Sequence, residues 1–138
     1  MRKNLLALIA FLPLMLTSAC KKDSTPPPAT YPITGLWEGT YTYLSQPPLY
    51  FSFTIYPDGT MSYKGIGINN YIFYANGTWN LNGNNLSYRV VTTNTPYVMT
   101  QPTQTGTAIY SNTGTLTNGV NTDSATGLSG TFSLKRIN

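Results

Sequence analysis

Short runs of alternating apolar and polar residues constrain the fold of this chain more than any other feature. Residues 51–55, Phe-Ser-Phe-Thr-Ile, place every second side chain on one face, and 86–90, Leu-Ser-Tyr-Arg-Val, repeat the pattern. Gly, Asn and Pro separate such runs at short intervals, and no segment after the N-terminal region shows helical periodicity. The sequence therefore predicts an all-β domain of antiparallel strands around a single core.

The predicted connections differ in length in a regular way. Three of them are tight turns, at 57–59, 82–84 and 111–113, whereas those at 44–49, 66–70, 93–105 and 118–128 are longer. Alternate connections of an up-and-down sheet lie at the same end, so the short turns share one end and the long loops the other. This pattern predicts a single small antiparallel up-and-down β-barrel of about eight strands, with a β-sandwich as the alternative. The predicted strands are 35–44, 49–57, 60–66, 70–81, 85–93, 105–110, 114–118 and 128–137.

The N-terminal region has the features of an export signal. Arg2 and Lys3 precede an apolar run at 5–16, and small residues follow it directly before Cys20, the only cysteine. This order of charged, apolar and small residues is typical of a secretory signal. The run is too short for a transmembrane helix, which needs roughly 20 apolar residues. Residues 1–19 are therefore predicted to be a signal peptide.

The segment around the cysteine, Leu16-Thr17-Ser18-Ala19-Cys20, resembles a bacterial lipobox. The resemblance implies that Cys20 is lipidated and anchors the chain to the bacterial cell envelope, with the outer membrane as the expected site. An ordinary secretory signal with an incidental cysteine is the alternative. The proline triplet at 26–28 favours an extended tether, so 20–33 are predicted to be the lipidated cysteine and its tether, and 34–138 the barrel.

Composition excludes several kinds of chemistry. The chain contains no histidine and one cysteine, which excludes internal disulfides, Cys/His zinc sites and histidine-dependent nucleophile systems. Glu38, Asp58 and Asp123 are interpreted as residues of a strand surface, a turn and a polar loop. We therefore expect no enzymatic activity, no metal and no cofactor. The basic residues are few and scattered in the sequence, so we expect no nucleic-acid partner.

The first strand carries a second resemblance. Gly35-Leu36-Trp37 resembles the Gly-x-Trp signature of lipocalins and their calycin relatives, and residues 130–134 look like the closing strand of small lipocalin-like domains in Gram-negative lipoproteins. The resemblance implies that Trp37 plugs the closed end of the barrel and that a late basic residue, here Arg136, lies across it. We expect Gly35, Trp37 and Arg136 to form one structural unit, in which the guanidinium stacks on the indole and bonds nearby carbonyls.

Two sets of residues are candidates for binding. Inward aromatic side chains of a small barrel either fill its core or line a pocket for a small hydrophobic or amphipathic ligand. Residues between prolines in the longest loop form a candidate contact patch for an envelope protein. The inward set is Tyr41, Tyr43, Phe51, Tyr71, Phe73 and Tyr88, and the loop set is Tyr97, Val98 and Met99.

The lipobox-like segment, the predicted barrel and the inward aromatic residues together indicate a function. We expect a monomeric, membrane-anchored envelope lipoprotein with a non-catalytic, lipocalin-like binding domain for a small molecule. One alternative is an interaction or inhibitor lipoprotein that acts through its long loops. Another is a glycan-binding module, which the content of Tyr and Asn suggests.

Overall fold

The barrel closes because its last strand pairs with its first. The computed structural model describes residues 30–67, 70–94 and 102–137, and in these ranges eight antiparallel strands follow one another in chain order around a closed barrel. The predicted up-and-down barrel is confirmed, and the β-sandwich alternative is wrong. The strands are β1 (Gly35–Tyr43), β2 (Leu49–Ile55), β3 (Thr60–Ile66), β4 (Ile72–Asn82), β5 (Asn85–Thr92), β6 (Thr103–Ser111), β7 (Thr115–Asp123) and β8 (Ser129–Arg136).

Some predictions fall outside these ranges. The signal peptide, Cys20 and the loop residues Tyr97, Val98 and Met99 lie outside the described residues. In the part of the chain that is described, no helix is long and apolar enough to cross a membrane.

The core consists of the inward side chains of alternate strand positions, as the period-two pattern predicts. Trp37, Phe53 and Leu86 are fully buried, whereas their sequence neighbours are less buried or exposed. The apolar core spans the barrel from its closed end to its middle. Its members are Ile33, Trp37, Phe51, Phe53, Ile55, Met61, Tyr63, Ala75, Leu86, Tyr88, Val90, Ala108, Leu116, Phe132 and Leu134.

The two ends of the barrel have connections of different length. The chain enters β1 at the end that carries the connections 56–59, 83–84 and 112–114, and the connections 44–48, 67–71, 93–102 and 124–128 lie at the other end. Each short connection contains a glycine with positive φ, a conformation that tight turns require and glycine adopts without strain. We call the first end the closed end and the second the mouth.

The seventh strand corrects the sequence prediction. We predicted that it ends at 118 and that a loop covers 118–128, but β7 continues to Asp123. The register between β7 and β8 shifts between Leu116 and Gly119, and Asn118 has a φ of 51°. An Asn-Gly pair usually indicates a turn because both residues tolerate positive φ, but here it forms a bulge within a continuous strand.

Two further strand boundaries differ from the prediction and affect the mouth. β6 begins at Thr103 rather than at 105, and β4 begins at Ile72 rather than at 70. Gln104 is therefore a strand residue, and Tyr71 lies in a connection. Polar residues at strand ends give weak alternation, so these boundaries are the least certain part of a sequence-based prediction.

Candidate functional site

A cavity of about 360 Å³ opens at the mouth of the barrel. Aromatic side chains of β1, β2 and β4 form one wall, and polar side chains of β6 and β7 lie opposite them. Residues of the connections 44–48, 67–71 and 124–128 contribute to its rim. The lining residues are Tyr41, Tyr43, Gln46, Leu49, Phe51, Gly67, Phe73, Gln104, Asn121, Asp123, Thr126 and Leu128.

Below the cavity the barrel is filled. Phe51, Phe53, Tyr63, Tyr88 and Phe132 form a cluster in which centroids of neighbouring rings lie 5.0–6.2 Å apart. Such distances are typical of packed aromatic rings. A filled core and a pocket are thus both present, one below the other, and Phe51 contributes to both.

Glycines on neighbouring strands make room for the aromatic wall. A Cβ atom at Gly130 would lie 2.3 Å from the ring of Tyr41, and one at Gly65 would lie 2.2 Å from the ring of Phe73. The far end of each ring therefore lies over the glycine backbone of the adjacent strand. This packing of an aromatic ring over a glycine leaves the space between the two walls open.

The rings of Tyr41 and Tyr43 extend this wall toward the rim. Their centroids lie 6.3 Å apart with an angle of 21° between the planes, and the ring of Tyr41 also packs against Phe51 at 5.4 Å. Both tyrosines are partly buried. The cavity therefore offers a nearly continuous aromatic surface to an apolar group.

The polar side of the cavity is organised by hydrogen bonds between two amides and two tyrosines. Asn121 Nδ2 donates to Gln104 Oε1 at 2.6 Å, and the Tyr88 hydroxyl donates to Asn121 Oδ1 at 2.9 Å. The Tyr63 hydroxyl also donates to Gln104 Oε1. Asn121 is buried, with 5% of its surface exposed. The carbonyl oxygens of both amides are therefore occupied from within the barrel.

The tyrosines of this network are held in their neutral form. Burial raises the pKa of Tyr63 and of Tyr88 well above the usual value of 10.0, because a phenolate loses hydration in the core. Burial, with the neighbouring Tyr43 as the second cause, also raises the pKa of Tyr41. These hydroxyl groups consequently remain uncharged near pH 10, where an exposed tyrosine begins to ionise.

Asp123 is the only charged side chain among the described residues that line the cavity. We predicted it in a polar loop, but it is the last residue of β7 and is partly buried. Its Oδ1 accepts hydrogen bonds from the backbone N–H groups of Ala125 and Thr126 at 2.8 and 2.9 Å, and from the Thr126 hydroxyl at 3.2 Å. The carboxylate thus both caps the β7–β8 turn and faces the cavity.

The structure brings together four of the six predicted ligand-binding aromatics: Tyr41, Tyr43, Phe51 and Phe73 line the cavity. Tyr88 does not, because it lies in the core and supports Asn121 from below. Tyr71 does not either, because it precedes β4 and its hydroxyl donates to the backbone carbonyl of Asn94.

Sequence reasoning missed the polar side of the site. Gln104 and Asn121 fell in predicted loops, since the strands of β6 and β7 were placed too short. Gly106 and Ala108 follow Gln104 at alternate positions, so the period-two pattern contained the signal, although small and polar side chains made it weak.

The structure brings Gly35, Trp37 and Arg136 together at the closed end. Trp37 is fully buried and its Nε1 donates to the Ile33 carbonyl at 2.7 Å. Arg136 pairs with Trp37 in the register of β1 and β8, and its Nη1 donates to the carbonyl oxygens of Leu36 and Ile137.

The expected stacking of Arg136 on Trp37 is not among the cation–π pairs of the described residues. The edge of another ring, that of Tyr110, packs against the indole at 6.1 Å. The guanidinium instead lies over the backbone of Gly35. The carbonyl bonds are therefore the contacts that hold Arg136 across the closed end.

The other two acidic residues of the barrel have local partners. Glu38 accepts a hydrogen bond from the Tyr50 hydroxyl at 2.9 Å. Asp58 Oδ1 accepts from the backbone N–H of Thr60 at 2.9 Å and from the Thr60 hydroxyl at 2.6 Å, which fixes the β2–β3 turn. Within the described ranges no group of three His, Cys, Asp or Glu residues could hold a metal ion.

The fold and the cavity define the class of this protein as a small up-and-down β-barrel with one closed end and one open end. Comparisons with protein-family models, with curated proteins and with solved structures find no match. The resemblance to lipocalins therefore stays a prediction based on short motifs.

Proposed function

We propose that this chain is an envelope lipoprotein whose lipocalin-like barrel binds one small, partly apolar molecule at its mouth and does not transform it. The observation that carries the proposal is the cavity of about 360 Å³ with an aromatic wall and an amide-lined polar side. Ligand sites are typically cavities of roughly 300–1,000 Å³ that combine apolar walls with a few oriented polar groups.

The aromatic wall supports binding because it is packed in advance. The rings of Tyr41 and Phe73 already lie over Gly130 and Gly65, so a ligand that covers them does not have to order them. The hydrogen bonds of Gln104 and Asn121 fix the polar side in the same way. Such prior organisation reduces the entropy lost on binding.

The path of the chain supports an orientation with the mouth away from the membrane. The segment before β1 crosses the closed end, where the Tyr31 N–H donates to the Asn112 carbonyl at 2.8 Å and Ile33 is buried. A lipid on Cys20 would therefore attach through the tether at the end opposite the cavity. In this orientation the cavity faces the aqueous compartment and receives ligands from it.

The placement of the acidic residues supports a non-catalytic role. Glu38 lies on a strand with Tyr50 as its partner, Asp58 caps a turn at the closed end and Asp123 caps a turn at the mouth. Paired carboxylates that perform acid–base chemistry must instead face one substrate bond. A binding protein needs no such pair.

Native mass spectrometry of the protein purified from its own host tests the binding function. The wild-type protein should carry a small molecule, and Tyr43→Ala or Phe73→Ala, which remove parts of the aromatic wall, should reduce its occupancy. Ile72→Ala and Tyr74→Ala are matched controls, because these side chains are exposed on the outer face of β4. Circular dichroism establishes that each variant is folded.

If Tyr43→Ala and Phe73→Ala fold and retain the bound molecule at wild-type occupancy, the mouth is not the binding site. Loss of the molecule from the outer-face variants alone would place the site on the surface of the barrel.

A further inference from the structure

The charged side chains of the barrel are distributed unevenly between its surfaces. Asp123 lines the cavity, whereas the basic residues lie elsewhere. Lys64 is on β3, with its Nζ 5.8 Å from the centroid of an outer-face tyrosine. Arg89 on β5 and Lys135 on β8 are exposed, and Arg136 lies at the closed end. No basic side chain of the described residues therefore lines the cavity beside this carboxylate.

The sequence of the undescribed residues between β3 and β4 and between β5 and β6 adds no charged group. Residues 68–69 and 95–101 contain no Lys, Arg, Asp or Glu. The connections 44–48 and 124–128 also contain no charged residue. Asp123 is consequently the only charged residue among these connections and the described residues that line the cavity.

The carboxylate of Asp123 is held in place without being neutralised. Three hydrogen-bond donors of the β7–β8 turn bind its Oδ1, while Oδ2 has no hydrogen-bond partner among residues 30–67, 70–94 and 102–137. A carboxylate with one fixed oxygen and one available oxygen can accept a hydrogen bond from a charged donor.

The aromatic wall has the same electrostatic preference. The faces of Tyr and Phe rings are electronegative and attract cations that lie within about 6 Å of the ring centroid. Four such rings, those of Tyr41, Tyr43, Phe51 and Phe73, line the same cavity as Asp123. An anion would meet aromatic faces and a carboxylate without a compensating basic group, and desolvation of that anion would oppose binding.

We propose that the cavity takes an organic cation, an amine or quaternary ammonium compound whose apolar part packs on the aromatic wall while its charged group lies beside Asp123. This inference rests on the binding function proposed above and specifies its ligand class. Fatty acids are not expected to bind, because their carboxylate head group would be repelled by Asp123. The Gln104 amide, whose carbonyl oxygen is already occupied, retains its N–H groups for an acceptor on the same ligand.

Three probes of similar size and different charge test the inference. Naphthylmethylammonium, naphthamide and naphthoate share a ring system and are cationic, neutral and anionic. Their affinities for the mature lipoprotein in one detergent can be measured by isothermal titration calorimetry. The ammonium probe should bind about three- to tenfold more tightly than naphthoate, as expected for one carboxylate in a partly solvated site.

The substitution Asp123→Asn removes the charge and keeps the turn, because the side-chain carbonyl of Asn can still accept the hydrogen bonds from Ala125 and Thr126. It should bring the affinity ratio of the ammonium probe to naphthoate close to one. Asp58→Asn is the matched control. It removes one negative charge from a similar turn at the closed end and should retain the full preference.

The outcomes separate the two proposals. If naphthoate binds as tightly as the ammonium probe, or if the preference survives Asp123→Asn, the ligand class is wrong while binding at the mouth stands, provided that Phe73→Ala weakens all three probes. If Phe73→Ala leaves all three affinities unchanged, or if none of the probes binds and the protein from its host carries no molecule, the binding function is contradicted and the ligand class with it.

Discussion

The guanidinium group of Arg136 lies so close to the backbone of Gly35 that a Cβ atom at position 35 would be 2.1 Å from one of its nitrogens. Gly35 also has a φ of 122°, a conformation that side-chain-bearing residues rarely adopt. The glycine therefore serves two purposes, since it starts β1 in an unusual conformation and leaves space for the arginine. A side chain at position 35, two residues before Trp37, would displace the guanidinium of Arg136.

Substitution of Gly35 should be costly for both reasons. We expect Gly35→Ala to lower the free energy of unfolding by roughly 1–3 kcal/mol from backbone strain, with a further loss because Arg136 must move. Gly83→Ala is the control, because Gly83 has a φ of 59° and a Cβ atom added there would have no neighbouring atom within 4 Å. Chemical denaturation should show a larger loss at position 35 than at position 83.

A double variant isolates the steric part of this loss. In Gly35→Ala/Arg136→Ala the guanidinium is absent, so the combined loss should be smaller than the sum of the single losses. Strict additivity would mean that Arg136 moves away without cost and that its contact with Gly35 has no energetic role.

Trp37 should contribute more to stability than Trp79, the other tryptophan of the barrel. It is fully buried and donates a hydrogen bond to the Ile33 carbonyl at 2.7 Å. We expect Trp37→Ala to lower the free energy of unfolding by roughly 3–5 kcal/mol. Trp79→Ala is the comparison, because Trp79 is only partly buried and should cost clearly less. Equal losses in thermal or chemical unfolding would contradict the role of Trp37 as the plug of the closed end.

Strand order and alternation allow the residues that meet at the closed end to be predicted from the sequence. If the first and last strands pair in opposite directions, a residue near the end of β8 must meet the start of β1, and Arg136 does pair with Trp37. The prediction did not extend to the contact of the guanidinium. Its position over Gly35 depends on backbone conformation that alternation does not determine.

The mouth was predicted less completely, again for physical reasons. Large aromatic residues signal their direction through alternation, so Tyr41, Phe51 and Phe73 were expected inside, and the structure places them in the lining of the cavity. Gln104 and Asn121 are polar amide residues near strand ends, and the bulge at Asn118 interrupts the alternation just before Asn121. Sequence patterns of this kind do not distinguish a bulged strand from a loop.

The buried tyrosines should make the barrel sensitive to alkaline pH. The pKa values of Tyr63 and Tyr88 lie above 10.0 in the folded state, so the unfolded chain releases these protons first. Stability from this source is fully present below pH 10 and falls as the pH rises above it. The loss should reach at most about 1.4 kcal/mol per pH unit for each tyrosine.

Denaturation with urea over a series of alkaline pH values measures this effect. Tyr63→Phe and Tyr88→Phe should each reduce the dependence of stability on pH, even where the variant is less stable at neutral pH. Tyr56→Phe removes an exposed hydroxyl and should leave the wild-type dependence. A barrel whose stability stays constant well above pH 10 would contradict the assignment of these two hydroxyls as buried neutral groups.

The membrane anchor is a prediction from sequence, and one substitution tests it. Cys20 follows the small residues 17–19 and precedes the tether, and each buried methylene of an attached acyl chain adds about 0.8 kcal/mol of membrane affinity. Cys20→Ser removes the acceptor sulfur and should move the protein from the membrane fraction to the soluble fraction of its host. Ser24→Ala, in the tether, is the control and should remain with the membrane.

Because the barrel has its own closed core, the Cys20→Ser protein should keep the wild-type thermal unfolding of the barrel. If Cys20→Ser stays fully anchored, the interpretation of residues 16–20 as a lipobox is wrong, and another segment must hold the protein at the membrane.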